Sequence, residues 1–154
     1  MYSSNLICDI ITYINDNINK EITITELANI FFYDKTYIMK KFKKEIGISI
    51  TNYINSIRIY NSLTFFTYNN YILSIAFNNG FQSMEYYSEI FKKYIGVSPR
   101  KYKYFISYSN KLNLTDEKII RKSLLDLTLL KNKIDAYLTN RKPSGKLVKK
   151  ISLK

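Results

Sequence analysis

The stretch Leu27 to Ser49, LANIFFYDKTYIMKKFKKEIGIS, returns at Ile75 to Ser98 as IAFNNGFQSMEYYSEIFKKYIGVS. Ala28 aligns with Ala76 and Phe32 with Gly80, both 48 positions apart. Tyr37 aligns with Tyr86, Phe42 with Phe91, Lys43–Lys44 with Lys92–Lys93 and Gly47 with Gly96, all 49 apart, so one residue is inserted in the second copy's turn. A repeat constrains the fold strongly, because both copies must build the same supersecondary unit. Two short helices around a tight turn, with lysines on the second helix of each, form a double helix-turn-helix. The expected class is all-α: two helix-turn-helix subdomains joined by a long linker helix, plus an extra C-terminal helix. Residues 5–103 form the double motif, 104–140 a helical extension and 141–154 a basic tail.

The flanking pattern agrees. Leu6, Ile7, Ile10, Ile11, Ile14 and Ile18 carry the i, i+3/i+4 stripe of an amphipathic helix that covers the first motif. Thr23 and Glu26 are spaced as a capping box. Asp34 suits the cap of a second helix, Lys35 to Lys44, and Gly47 its left-handed stop. Ser49 to about Thr67 reads as one long helix of roughly 27 Å, a spacer able to hold two recognition helices about one DNA turn apart. Ser83 and Gly96 bound the second recognition helix. Ser98-Pro99 starts another helix, with Pro at its first position.

At about 100° per residue, Thr36, Met39, Lys40 and Lys43 share one arc, while Ile38, Phe42 and Ile46 face the core. Lysine can read guanine O6/N7 or hold phosphate, and methyl-bearing groups can touch thymine. A solvated lysine face is the alternative, and repetition weighs against it. In the second copy the arc is Glu85, Ser88, Glu89 and Lys92, so Lys40 aligns with Glu89. Carboxylates repel phosphate and at best accept from cytosine N4, which makes the first copy the stronger reader. The glutamates could equally pair with nearby lysines. Arg58 reads as a phosphate contact or an internal ion-pair partner. Arg100, Lys101 and Lys103 form a basic helix start suited to phosphate.

The net charge of +12 points to an anionic partner, nucleic acid or an acidic membrane surface. With no histidine and only Cys8, histidine acid–base chemistry, Cys–His pairs, zinc sites and an internal disulfide are excluded. Cys8 sits in the apolar run Leu6 to Ile11 and reads as core. No catalytic residue, cofactor or metal is expected. The N-terminus lacks the basic start of a signal peptide and no apolar run reaches membrane-spanning length, so a cytoplasmic protein is expected.

Over Ile10 to Lys103 these residues resemble the AraC/XylS-type transcriptional regulators. The second copy carries the specific part: Ile75-Ala76, Gly80-Phe81, Tyr86-Tyr87, Phe91-Lys92-Lys93, Gly96-Val97-Ser98-Pro99 and Tyr102, in order. The resemblance implies sequence-specific binding to double-stranded DNA through the Lys35–Lys44 and Ser83–Tyr94 helices in adjacent major grooves, and activation through RNA polymerase. It places base contacts on Thr36, Met39, Lys40, Glu85, Ser88 and Glu89. Phosphate contacts then fall to Lys35, Lys43, Arg58, Lys92, Arg100 and Lys101. Three positions depart from the pattern. Phe32 replaces the usual first-turn glycine, which predicts a distorted turn; Lys41 replaces an apolar residue; Glu89 replaces a basic one. No effector-binding barrel precedes the motif in this sequence, so ligand sensing is not implied.

Beyond Lys103 there are 12 basic and 4 acidic residues. Thr115 to about Asn140 reads as a helix with Asp116 and Glu117 in its favourable first turn. Ile120, Leu127, Leu130, Ile134 and Tyr137 form a stripe that either docks on the domain or makes a homodimer. Arg141 to Lys154 reads as a basic tail adding nonspecific DNA affinity. The competing function is a non-catalytic interaction module: a degenerate helix-turn-helix domain with weak or nonspecific DNA binding.

Overall fold

The computed structural model describes residues 5–67, 69–108 and 113–141. Among these, eight α-helices appear: α1 Leu6–Asp16, α2 Ile24–Phe31, α3 Lys35–Ile46, α4 Ile50–Ser62, α5 Ile72–Asn78, α6 Met84–Ile95, α7 Pro99–Ser107 and α8 Leu114–Arg141. The all-α class and the doubled helix-turn-helix stand as expected. The basic tail lies, apart from Arg141, outside the described residues.

Local chemistry sets the helix ends. Thr23 and Glu26 form a reciprocal capping box at α2. Asp34, Ser49, Ser83 and Ser98 each accept backbone amides at the starts of α3, α4, α6 and α7. Gly47 and Gly96 close α3 and α6 at φ 92° and φ 90°. The first turn is not distorted: Phe32 adopts the left-handed conformation, φ 59° and ψ 42°, that glycine would supply.

The linker differs from its expectation. The α-helix ends at Ser62 and continues as a 3-10 turn over Leu63–Thr67. Thirteen residues of α-helix span about 20 Å, shorter than the 27 Å spacer read from periodicity. Leu63–Thr67 contains two threonines and two phenylalanines, poor helix formers that lose χ1 freedom. The Ser62 hydroxyl also bonds back to the Ile59 carbonyl at 2.7 Å.

Two cores flank α4. The first gathers Ile7, Ile10, Ile11 and Ile14 of α1, Leu27 of α2, Ile38 and Phe42 of α3, and Tyr53 of α4. The second gathers Ile59, Phe66, Ile75, Ala76, Phe81, Tyr87, Phe91 and Tyr102. The C-terminal helix joins both, with Ile120 and Leu127 buried in the second and Ile134 and Tyr137 in the first. Leu130, the remaining residue of its stripe, is half-buried, as are Leu124 and Leu138 beside it. The stripe that could have carried a dimer is thus spent on the chain itself. At its two ends α8 meets the caps of both recognition helices: Lys133 reaches Gly47, and Ile119 and Ser123 pack against Gly96.

Candidate nucleic-acid interface

The core anchors decide which side of α3 faces out. Ile38, Phe42 and Ile46 are buried, and the Phe42 ring packs 5.7 Å from Tyr53 of α4. The opposite face is open: Thr36, Lys40 and Lys43 are exposed, and Met39 is 50% accessible. Lys35 at the start of the helix is exposed too. The Thr36 amide donates to the Asp34 cap, but among the described residues no hydrogen bond or ion pair engages the Thr36 hydroxyl or the Lys35, Lys40 and Lys43 ammonium groups. This face therefore offers two ammonium groups, a hydroxyl and a thioether to whatever approaches it, with the Lys35 ammonium at the start of the helix beside it.

Lys41 sits at the edge of that face and pairs with Glu45 at 2.9 Å. The Tyr137 hydroxyl of α8 donates to the same carboxylate, and the Arg141 guanidinium stacks 4.2 Å over the Tyr137 ring. Burial opposes ionisation of Glu45, but Tyr137 and Lys41 outweigh it and hold the carboxyl below its ordinary range. The lysine in an apolar position is thus accommodated by a carboxylate one turn on and by the extension.

In α6, Tyr87, Ile90, Phe91 and Ile95 are buried. Glu85, Glu89 and Lys92 are exposed and Ser88 is half-buried. Among the described residues neither Glu85 nor Glu89 has a hydrogen-bond or ion-pair partner, so the pairing with nearby lysines is not found. The two recognition helices thus present opposite charge at Lys40 and Glu89. Helix α4 ties α6 down: Asn55 donates to the Tyr86 hydroxyl at 2.8 Å, Lys93 donates to the Asn52 side chain at 3.2 Å, and Tyr94 donates to the Asn52 carbonyl at 3.0 Å.

Arg58 turns its guanidinium inward, and among the described residues no carboxylate pairs with it. Its Nε donates to the Ile18 carbonyl at 2.9 Å and its Nη2 to the Lys20 carbonyl at 2.7 Å. Its guanidinium also lies 5.9 Å from the centre of the Phe81 ring. Burial pulls its pKa below the usual guanidinium value. Arg58 stitches the α1–α2 loop to the second turn, where a Cβ on Gly80 would lie 2.7 Å from the Ile18 oxygen and 2.8 Å from Arg58 Nε. Carbonyl partners 40 and 38 positions away leave no charge signal in the sequence.

The remaining candidate cations gather at the second half. Lys92, Arg100 and Lys101 line one open cleft of about 740 Å³ beside the start of α7. Lys101 is engaged there by Asp116 of α8, at 2.9 Å. In the sequence Asp116 reads as a favourable charge in the first turn of its own helix, and nothing in its spacing signals the distant lysine.

The pattern of the helix-turn-helix domain family matches residues 27–104, spanning both motifs and the start of α7. The chain belongs to the AraC-type helix-turn-helix family. An uncharacterized response regulatory protein of Staphylococcus epidermidis is 31% identical over 101 residues, 66% of this chain and 40% of that relative. The match thus spans less than half of that longer protein. The HTH-type transcriptional activator AarP of Providencia stuartii is 27% identical over 119 residues, 77% of this chain and 88% of the relative. The C-terminal domain of AraT, a response regulator from Geobacillus stearothermophilus, shares the fold at a TM-score of 0.64 and 24% identity, over 74% of this chain and 96% of that domain. The AraC-type family comprises DNA-binding transcription regulators rather than enzymes. Among the described residues, no helix is long and apolar enough to cross a membrane.

Proposed function

We propose that this chain is a sequence-specific DNA-binding transcription regulator that acts as an activator, with α3 as its principal reader. One observation carries the reading: the α3 face holding Thr36, Met39, Lys40 and Lys43 is open along its length and opposite a fully buried anchor. A helix so presented enters a major groove, where Lys40 addresses guanine and the Met39 and Thr36 methyls address thymine. Lys35 and Lys43 take flanking phosphates. Helix α6 occupies the adjacent groove as the weaker reader, because Glu85 and Glu89 face the same way with Lys92 as the one cation on their arc. Activation, through contact with RNA polymerase, is proposed by likeness to AarP, which is named an activator.

The test is Lys40→Ala on specific and random duplexes. Loss of about 1–3 kcal/mol on the specific site, with preference relaxed at one or two base pairs, supports base reading. An equal loss on every sequence would make Lys40 a phosphate clamp only. Unchanged binding on both would remove α3 from the interface.

A further inference from the structure

The cleft beside the start of α7 brings together Lys92 from the last turn of α6 and Arg100 and Lys101 from the first turn of α7. These are three of the candidate phosphate contacts, and they share the cleft with one carboxylate. Asp116 belongs to the extension beyond the double motif, and its Oδ2 lies 2.9 Å from Lys101 Nζ. The lysine side chain is half exposed, whereas the Asp116 side chain is 14% accessible. So the lysine still opens to the cleft while the carboxylate is held from behind.

The holding is specific. The Asp116 amide donates to the Asn113 side chain at 2.8 Å, which caps α8 at this point. One turn on, Ile120 is fully buried in the second core and Ile119 packs on Gly96, the stop of α6. Helix α8 therefore cannot shift away from the cleft without uncovering core, and its first turn delivers a negative charge among three positive ones.

We propose that Asp116 is a built-in competitor for DNA phosphate, an affinity-setting residue that occupies Lys101 in the free protein. The inference rests on the DNA-binding reading above. A phosphate entering the cleft meets Arg100 and Lys92 directly but must displace Asp116 to gain Lys101. The second half then holds the backbone less tightly than its cation count suggests, and the effect is the same on every sequence because phosphate carries no base identity.

The test compares wild type, Asp116→Asn and Asp116→Ser by fluorescence anisotropy on a selected duplex and a random-sequence duplex, over a range of salt. Both neutral variants are expected to bind both duplexes roughly threefold to fivefold more tightly at low salt. The plot of log affinity against log salt should steepen by about 0.9, the signature of one more neutralised phosphate. Lys101→Ala should cost more in the Asp116→Asn background than in wild type. Unchanged or weakened binding, an unchanged salt slope, or a gain confined to one of the two neutral variants overturns the proposal. Wild type failing to bind any duplex would instead overturn the DNA reading, and this inference with it.

Discussion

Phe32 and Gly80, equivalent residues of the two turns, share one left-handed backbone conformation, at φ 59° and φ 87°. Their surroundings are opposite. The Phe32 side chain is 91% exposed, whereas any side chain on Gly80 would strike the Ile18 carbonyl and Arg58. The left-handed region costs a non-glycine residue roughly 1–2 kcal/mol, and Phe32 recovers none of that through burial. Phe32→Gly is therefore expected to leave stability unchanged or raise it by about 1 kcal/mol, the loosened unfolded chain offsetting part of the gain. Gly80→Ala should destabilise by about 2–4 kcal/mol, from overpacking and backbone strain together. Denaturant unfolding of the two variants checks this; equal effects would contradict it.

Glu89 faces out of α6 where Lys40 faces out of α3. If both helices lie against the duplex, Glu89→Arg removes a like-charge clash and adds a cation. Affinity for random duplex should rise, and the salt slope should steepen by about 0.9 or more. Titrations at two salt concentrations measure both. No change in either would put α6 outside the groove.

Helix α8 closes both cores, so its buried and exposed positions should separate cleanly. Ile120→Ala, at a fully buried site, is expected to cost about 2–5 kcal/mol. Leu125→Ala, at a site 58% exposed, should stay within about 0.5 kcal/mol. The solution mass should be that of one chain for both variants and for the parent. A parent mass that halves on Ile120→Ala would show that the stripe carries a dimer instead.

Burial raises the phenols of Tyr53, Tyr87, Tyr94 and Tyr102 and makes the fold sensitive to alkali, and Tyr13 and Tyr137 add to this through bonds to carboxylates. The bond to Glu26, and then burial, pushes the Tyr13 hydroxyl from 10.0 up to about 12. Burial, and then the bond to Glu45, takes Tyr137 to about 12 as well. An acid whose folded pKa lies above its unfolded one stabilises the fold at every pH below the unfolded value, and that stability is lost as pH rises through the folded one. The melting temperature should hold up to about pH 9 and fall between about 10 and 12. Tyr13→Phe should melt lower near neutrality and show a shallower alkaline decline. Parallel curves for wild type and variant would contradict the assignment.

Much of this was legible in the residues, and for physical reasons. Capping oxygens at Thr23, Asp34, Ser49, Ser83 and Ser98 satisfy amides two or three positions away, so their partners sit in the same window of sequence. The outward arc of α3 follows from helical periodicity alone. The break at Leu63 was hidden because Leu63, Phe65 and Phe66 keep an apolar spacing that suits either helix type. The role of Arg58 was hidden because its partners are backbone carbonyls, which every residue possesses. The Lys101–Asp116 pair crosses from the repeated motif into the extension, where no repeat exists to align it.

Base reading by the open side of α3 underlies the whole functional proposal. Selection of bound duplexes from a random pool, at low and moderate salt, tests it most directly. An enriched bipartite motif with about 10 base pairs between halves is expected, persisting at the higher salt, with the stronger half lost for Lys40→Ala. A pool that stays random at both salts, or an enriched motif identical for Lys40→Ala, would contradict it.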